Sequence, residues 1–237
     1  MKKVILTGAN GQLGRSYIQV LMKTGFHVIA VDTNIENLVP TENLDIVELD
    51  ITNASDVTHF YEKIEDIYAL VNNAGIGVFT PFENRTPEEF MSVLEVNLLG
   101  TFLMCQGAIK NMKNRQEGKI VNIGSIYGVV SSDERIYGQS QRNNSEVYSM
   151  SKAGVIQLTK YMAAHFGKHN IQTNTLSPGG TFNNQSKDFV YNYEQKTPMG
   201  RMASPEDLHS ALLFLLDEKS NYVNGQNIVV DGGFTSW

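Results

Sequence analysis

The chain has 237 residues, of which 41% are apolar and 19% charged, a composition ordinary for a globular protein with ample material for a core. The formal net charge of −6 argues against nucleic acid or an anionic membrane as a partner. Cys105 is the only cysteine, which excludes an intrachain disulfide and favours a reducing, cytoplasmic compartment. The first apolar run is too short for a signal peptide or a membrane span. The five histidines are scattered, so no metal site is predicted.

The first part of the chain has the pattern of a strand, a glycine turn, a helix and a second strand. An apolar run at residues 4–6 leads into Thr7-Gly8-Ala9-Asn10-Gly11-Gln12-Leu13-Gly14, and a helical pattern follows as far as Gly25. In this context the glycines predict a dinucleotide site, because they let the backbone approach a pyrophosphate at a helix N-terminus. The turn residues assigned to cofactor binding are Gly8, Asn10, Gly11, Gln12, Leu13 and Gly14.

Asp32 closes the second apolar run, which covers residues 27–31. A carboxylate there can accept hydrogen bonds from an adenosine ribose and would repel a 2′-phosphate, so NAD is favoured over NADP as the cofactor. The alternative is that Asp32 is only a turn residue. Arg15, directly after the last glycine, either softens the NAD preference or is a surface charge on the helix.

Strands and helices alternate through the rest of the chain. Apolar patterns predict further strands at residues 44–49, 68–71, 119–123, 171–176 and 226–230, and helices at 55–64, 86–112, 148–166 and 204–216. This alternation predicts an α/β fold with a parallel sheet and right-handed crossovers. Ligands bind at the carboxyl edge of such a sheet, and the polar and glycine-rich segments of this chain follow the strands.

Asn97 lies in the middle of the long apolar helix predicted at residues 86–112. An asparagine there is costly unless its amide is hydrogen-bonded. It is therefore either a satisfied core residue or an anchor for water or backbone at a functional site. Asn73, Ala74 and Gly75 follow a strand, where small and amide residues suit backbone contact with a ligand and also suit a tight turn.

Tyr148 and Lys152 are four residues apart at the start of a predicted buried helix, so their side chains share a face. An ammonium about 5 Å from a phenol, at an effective dielectric of about 20, lowers the phenol pKa by about 2 units. That shift suits a general acid and base. Such a pair also arises by chance, so its function depends on its surroundings, among them Ser125 at the end of an upstream strand.

Two segments are candidates for a cover over the site. Residues 126–147 are long for a connection within a compact domain, which indicates a lid or a subunit contact. Residues 181–196 mix aromatic and amide side chains, as expected of either a mobile substrate cover or an amphipathic helix with surface aromatics. The chain contains no repeat or linker, which predicts a single domain over residues 1–237 with a substrate loop at about 178–200.

Together these motifs resemble the short-chain dehydrogenase/reductase family over essentially the whole chain. The segments that carry the resemblance are Thr7-Gly8 to Gly14, Asp50-Ile51-Thr52, Asn72-Asn73-Ala74-Gly75, Asn97, Ser125, Tyr148 to Lys152, Ser177-Pro178-Gly179 and Val230-Asp231-Gly232-Gly233. The resemblance implies a three-layer Rossmann fold, with a doubly wound parallel sheet of seven strands in the order 3-2-1-4-5-6-7. It implies catalytic roles for Asn97, Ser125, Tyr148 and Lys152. It implies further cofactor contacts from Asp50, Ile51, Asn73, Ala74, Gly75, Tyr148, Lys152, Pro178, Gly179 and Thr181.

The implied reaction is hydride transfer between NAD(H) and an alcohol or carbonyl of a small molecule. Tyr148 would exchange a proton with the substrate oxygen, which Ser125 would hold. Lys152 would lower the pKa of Tyr148 and bond the nicotinamide ribose, and Asn97 would anchor a water in the proton path. Members of the family are usually dimers of dimers, so a homotetramer is expected, with a homodimer as the alternative.

Two departures from the family pattern bear on the substrate. The glycine spacing is closer to that of extended members that act on nucleotide sugars, although those carry a C-terminal substrate domain and this chain stops at Trp237. Ser125 and Tyr148 are also further apart than usual. Residues 126–147 and 183–184 resemble members found beside bacterial surface-glycan and flagellin-sugar genes, which predicts a sugar or sugar-derived substrate. The alternatives are a nucleotide-sugar epimerase or dehydratase with retained NAD, and a non-catalytic NAD-binding sensor or scaffold.

Overall fold

The computed structural model describes residues 1–140 and 142–237. At its centre is an all-parallel sheet in the order β3-β2-β1-β4-β5-β6-β7, which confirms the predicted topology. Its strands are β1 (Lys3–Thr7), β2 (His27–Asp32), β3 (Leu44–Glu48), β4 (Ile67–Asn72), β5 (Gly118–Ile123), β6 (Ile171–Pro178) and β7 (Asn227–Val230). The order reverses between β1 and β4, and this switch point is where open parallel sheets form a ligand crevice.

Helices cover both faces of the sheet and make the fold three-layered. They are α1 (Gln12–Lys23), α2 (Ala54–Glu62), α3 (Pro87–Leu94), α4 (Thr101–Arg115), α5 (Glu146–Phe166), α6 (Lys187–Lys196) and α7 (His209–Leu216). Side chains alternate along each strand, so Val4 and Leu6 of β1 join the core beneath α1 and α7. Ile5 points the other way, into the core shared with α2, α4 and α5. Burial on both faces explains why the strands are nearly continuous apolar runs.

The long apolar helix predicted at residues 86–112 is interrupted near its middle. Between α3 and α4 the backbone forms a π-helical stretch, Glu95–Gly100, which contains Asn97. By length and composition, Pro87–Arg115 as a whole could cross a membrane. The core helix of a soluble protein has the same properties, and the side chains of Met104 and Met112 are buried against the sheet.

Two features of burial are not evident from the apolar patterns. The described residues 126–140 and 142–145 include two 3-10 turns, Ile126–Gly128 and Glu134–Tyr137. Ile136 and Tyr137 are buried in a third hydrophobic cluster, built with Tyr193, Met202 and Phe234. Phe214 of α7 is 48% exposed although it is apolar, because Leu212, Leu215 and Leu216 occupy the face that meets the sheet.

A buried polar network connects three strands to α5. Asn72 Nδ2 donates to Asn122 Oδ1 at 2.8 Å, and Asn122 Nδ2 donates to Thr159 Oγ1 at 2.9 Å. The hydroxyls of Thr159 and Thr175 are 2.8 Å apart. All four side chains are buried. Because unpaired polar groups are costly in the interior, the network fixes how α5 sits on β4, β5 and β6.

Replacing Asn122 by alanine is expected to lower the free energy of unfolding by about 3 kcal/mol, since it removes two buried hydrogen bonds and leaves their partners unpaired. Urea denaturation measures the change. Asn37→Ala, at an exposed position, is the matched control and should alter stability by less than about 0.5 kcal/mol. Equal stabilities for the two variants would mean that the network does not hold α5 in place.

Candidate active site

The carboxyl ends of β1 and β4 interlock around Gly8. Thr7 Oγ1 accepts the backbone N–H groups of Asn73 and Ala74, each at 3.1 Å. Asn73 Nδ2 in turn donates to the Thr7 carbonyl at 3.1 Å and to the Gly8 carbonyl at 2.9 Å. Gly8 has a φ of +62°, and a Cβ there would lie 2.7 Å from Ala74 Cα, so glycine is required.

The turn from Gly8 leads directly into α1. The Gly11 N–H donates to the Gly8 carbonyl at 3.2 Å, and Gly11 is the N-cap residue of α1. A Cβ on Gly14 would lie 2.2 Å from the same carbonyl, so this glycine lets the first turn of α1 pack against the loop. Gly14 is buried behind the cleft rather than on its surface. Its role is close packing, which the helix N-terminus needs in order to face the cleft.

A cleft of about 790 Å³ runs along the carboxyl edge of the sheet, within the size range of small-molecule sites. Most residues predicted to bind cofactor or substrate line it: Gly8, Asn10, Gly11, Gln12, Leu13, Asp32, Ile51, Asn73, Ala74, Gly75, Ser125, Tyr148, Lys152, Pro178, Gly179 and Thr181. Gly14, Asp50 and Asn97 are not part of the lining. The sheet edge therefore brings together segments that are far apart in the sequence.

Asp32, the last residue of β2, lies at one end of the cleft. Its carboxylate accepts the backbone N–H of Asn10 at 2.9 Å and that of Asn34 at 3.1 Å, so it also shapes the turn. Arg15 lies close by and donates from Nε to the Asn10 carbonyl at 2.9 Å. The guanidinium is thus held on backbone and makes no ion pair with Asp32 among the residues described.

Asp50 differs from its neighbour Ile51. The carboxylate of Asp50 is exposed and accepts the backbone N–H of Thr52 at 2.9 Å and the Thr52 hydroxyl at 2.7 Å. Those bonds close the turn after β3, and the side chain lies outside the cleft lining, whereas Ile51 is part of it. A short acidic turn motif does not show in the sequence which of its side chains faces the ligand.

Tyr148 and Lys152 lie in the first turns of α5, as predicted. Ser145 caps this helix and accepts the Tyr148 N–H at 3.3 Å. Lys152 Nζ donates to the carbonyl of Ile123, the last residue of β5, at 2.8 Å and lies 5.6 Å from the centre of the Tyr148 ring. Ser125 follows two residues after Ile123 and hydrogen-bonds with the Tyr148 hydroxyl. The long segment between Ser125 and Tyr148 therefore does not separate them.

The electrostatics of this pair differ from the prediction. Burial raises the pKa of the Tyr148 phenol, and the hydrogen bond with Ser125 opposes that rise. Burial also lowers the pKa of Lys152 to about 8. The sequence predicted a Tyr148 pKa below its ordinary value because of the nearby ammonium. The opposite direction follows because desolvation disfavours both charged forms, and the ammonium is bonded to the Ile123 carbonyl.

Asn97 is satisfied by backbone and by α5. Its Nδ2 donates to the Ile76 carbonyl at 3.0 Å and to Ser151 Oγ at 2.9 Å, and its Oδ1 accepts the Ile76 N–H at 2.8 Å. Ser151 Oγ donates to the Tyr148 carbonyl at 2.7 Å. The π-helical stretch thus presents an amide that ties the loop after β4 to the helix carrying Tyr148.

The far end of the cleft is built by residues of the two segments predicted to cover the site, together with Met202, although none of them was singled out as a site residue. They are Tyr127, Tyr137, Asn144, Phe189, Tyr193 and Met202. The Tyr137 and Phe189 rings are 5.2 Å apart at their centroids, which joins the segment 126–145 to α6. The only local signal was that Ile136 and Tyr137 are apolar within a polar stretch, and their partners on α6 are distant in sequence.

An ion pair holds the same two segments together outside the cleft. Asp133 accepts from Lys196 Nζ of α6 at 2.5 Å and pairs with Arg135 at 2.7 Å. Arg135 and Lys196 hold the pKa of Asp133 well below its usual range. We call the surface formed by residues 126–140, residues 142–145 and α6 the roof of the cleft.

The cleft suits a nicotinamide dinucleotide. At the switch point between β1 and β4, Gly8 has no side chain to cover the backbone, and any side chain there would collide with Ala74. The helix N-terminus at Gly11 suits a pyrophosphate, and Asp32 suits ribose hydroxyls. Ser125, Tyr148 and Lys152 lie at the other end, where the nicotinamide would meet a substrate.

Comparison with known proteins agrees with this geometry. The family profile described as enoyl-(acyl carrier protein) reductase matches residues 8–235. The 3-oxoacyl-(acyl-carrier-protein) reductase FabG of Rickettsia bellii is 32% identical over 241 residues, which cover 97% of this chain and 95% of that one. The D-arabinitol 2-dehydrogenase (ribulose-forming) of Candida albicans is 31% identical over 270 residues, which cover 100% and 93%.

A solved structure is also closely similar. The crystal structure of a short chain dehydrogenase from Leptospira borgpetersenii with bound NAD⁺ matches with a TM-score of 0.94 and 43% identity, covering 99% of this chain and 92% of that one. The chain therefore belongs to the short-chain dehydrogenase/reductase family. It is an oxidoreductase of that type.

Lys152→Met is expected to stabilise the protein at pH 7. The folded-state pKa of about 8 lies below the ordinary 10.5, so the buried ammonium destabilises the fold below pH 8, by at most about 3 kcal/mol. That penalty disappears as the pH rises from 8 to 10.5. Melting temperatures at pH 7 and pH 10 should show a gain at pH 7 that shrinks at pH 10.

Lys160→Met, at an exposed position on the same helix, is the matched control and should show no such pH dependence. Equal destabilisation of Lys152→Met at both pH values would mean that the bond to Ile123 outweighs the cost of burying the charge.

Proposed function

We propose that this protein is an NAD(H)-dependent alcohol dehydrogenase or carbonyl reductase that acts on a sugar or sugar-derived substrate. The observation that carries the proposal is that Ser125, Tyr148 and Lys152 meet at one end of a cleft that has Asp32 at its other end. Bound NAD supplies the hydride acceptor, and the protein supplies position and electrostatics.

The chain's residues divide the remaining work. During oxidation Tyr148 accepts the hydroxyl proton of the substrate as the hydride leaves the same carbon, and reduction reverses both transfers. Ser125, which hydrogen-bonds with Tyr148, holds the substrate oxygen. Lys152 binds the nicotinamide ribose and, while it is protonated, offsets part of the rise that burial causes in the pKa of Tyr148. Asn97 orients the loop after β4 and anchors water in the proton path.

The preference for NAD rests on Asp32. Its two oxygens accept two backbone N–H groups, and a carboxylate has about four acceptor sites, so capacity remains for ribose hydroxyls. A 2′-phosphate would be repelled by the same charge. Arg15, the nearby cation, is engaged with Asn10. NADP is the alternative cofactor.

We further infer one domain over residues 1–237, with residues 178–200 as the substrate loop, because this loop includes α6 and part of the cleft wall.

Apolar side chains exposed on α3, α4, α5 and the π-helical stretch support a homotetramer, with a homodimer as the alternative: Met91, Leu99, Phe102, Met150 and Tyr161. Cys105 is buried as a free thiol, which agrees with a cytoplasmic location. The link to surface-glycan and flagellin-sugar genes stays a prediction.

Tyr148→Phe is expected to lower kcat by roughly 10²- to 10⁴-fold, because the phenol proton is lost, while the Kd for NADH changes little. Steady-state NADH formation and nicotinamide fluorescence measure the two quantities. Tyr222→Phe, at a fully exposed position, is the control. Substantial activity in Tyr148→Phe would remove Tyr148 from the reaction, and wild-type turnover without net change in NADH would indicate an epimerase.

Asp32→Ala is expected to improve NADPH binding relative to NADH by about tenfold, since it removes both the acceptor for the ribose and the repulsion of the 2′-phosphate. Fluorescence titration with each cofactor measures the ratio. Glu36→Ala, which removes a nearby exposed acid, is the control. An unchanged ratio in Asp32→Ala would leave Asp32 with its turn role alone.

A further inference from the structure

Apart from Lys152, whose ammonium is bonded to the Ile123 carbonyl, the polar groups at the substrate end of the cleft carry no charge. Asp32 and Lys152 are the only charged side chains among the described residues that line the cleft, and Asp32 lies at the opposite end. Beyond Ser125 the polar lining consists of the phenols of Tyr127, Tyr137 and Tyr193 with the amides of Asn144 and Gln185. The guanidinium of Arg142 is exposed and lies 4.1 Å from the centre of the Phe79 ring, at the mouth of the cleft.

This composition discriminates between substrate classes. A carboxylate or phosphate moved from water into an uncharged pocket loses hydration that phenols and amides only partly replace, which costs several kcal/mol. Hydroxyl groups of a substrate can both donate and accept, and phenols and amides offer the matching donors and acceptors. The pocket therefore favours a compound that carries several hydroxyls and no charge.

Tyr137 is one of these phenols. It is 9% exposed, and its ring packs against Phe189. It belongs to the same hydrophobic cluster as Ile126, which follows Ser125 in the chain, so it lies on the Ser125 side of the cleft. A phenol can donate one hydrogen bond and accept two, so its O–H can serve a substrate hydroxyl at that end of the cleft.

We propose that the substrate is an uncharged, unphosphorylated polyol or the corresponding ketose, and that Tyr137 selects it by donating a hydrogen bond to a hydroxyl near the reacting carbon. The inference rests on the proposed dehydrogenase function. In oxidation the carbinol C–H bond breaks and its hydride passes to NAD⁺, while the O–H proton passes to Tyr148. The products are the ketose and NADH, and the proton is released to solvent.

The substrate class is tested with three matched series offered to the wild-type protein with NAD⁺: free pentitols and hexitols, the corresponding aldonates, and the corresponding terminal phosphates. We expect at least one free alditol to be oxidised with a kcat/KM at least tenfold above that of its aldonate and its phosphate. A preference for the acid or the phosphate overturns the proposal. The proposal is also overturned if neither alditols nor ketoses are turned over, whether or not a 3-oxoacyl thioester is reduced instead.

Failure of the proposed function looks different from these outcomes, because it appears as no binding of NADH or as full activity in Tyr148→Phe. If the aldonate is preferred and Arg142→Gln abolishes that preference, the arginine at the mouth is the partner of the acid, and the uncharged class is wrong.

The role of Tyr137 is tested with Tyr137→Phe and with Tyr191→Phe, whose phenol is 62% exposed on α6, as the control. With the best alditol, Tyr137→Phe should raise KM about tenfold, and Tyr191→Phe should not. Each deoxy analogue of that alditol is then compared. The increase in KM caused by Tyr137→Phe should disappear with the analogue that lacks the selected hydroxyl, as in a double-mutant cycle. An equal penalty with the alditol and all its deoxy analogues would mean that Tyr137 has only a packing role.

Discussion

The burial of the Lys152 ammonium is the constraint on which the rest of the active site depends. Lys152 is 5% exposed, and its Nζ is bonded to the carbonyl at the end of β5. A charge in such surroundings is tolerated only if its partner is fixed, so α5 must sit on β5 in one register. The hydrogen bonds that Thr159 of α5 makes with Asn122 and Thr175 fix the same register. The fold thus accepts a destabilised cation at the one place where the proposed chemistry uses it.

A second constraint keeps Ser125 beside Tyr148 although the chain between them is long. Ser125 directly follows β5 and its hydroxyl accepts the N–H of Tyr127, while Tyr148 is held by the Ser145 cap of α5. Both ends of the segment between Ser125 and Tyr148 are therefore held by regular structure that packs on the sheet. Of the described residues between them, Tyr127 and Tyr137 line the cleft, and Tyr137 contacts Phe189 of α6. Chain length between the two residues changes the shape of the pocket and leaves the reacting groups in place.

Much of the fold and the cofactor side of the site could be predicted from the sequence because the signals there are local. The glycine turn, Asp32 and the spacing of Tyr148 and Lys152 each depend on neighbours a few residues away. The backbone around Asn97 could not be predicted in the same way, because an apolar run predicts a continuous α-helix and does not indicate the π-helical stretch that contains this residue. The contacts of Tyr137 with α6 could not be predicted, because they join segments with no shared pattern. The Tyr148 pKa was predicted in the wrong direction because Coulomb attraction was weighed without desolvation.

The ion pair between Asp133 and Lys196 gives the roof a property that neither segment has alone. Its two halves come from opposite sides of β6 in the chain, yet they meet through this charge pair, an aromatic contact and hydrogen bonds from Asn192 of α6 to the carbonyls of Arg135 and Ile136. A substitution at position 133 that alters charge or size is therefore best accommodated by a matching substitution at position 196. Among related chains these two positions should covary. Grafting the roof of one relative onto another should transfer substrate selectivity only when both segments are exchanged together.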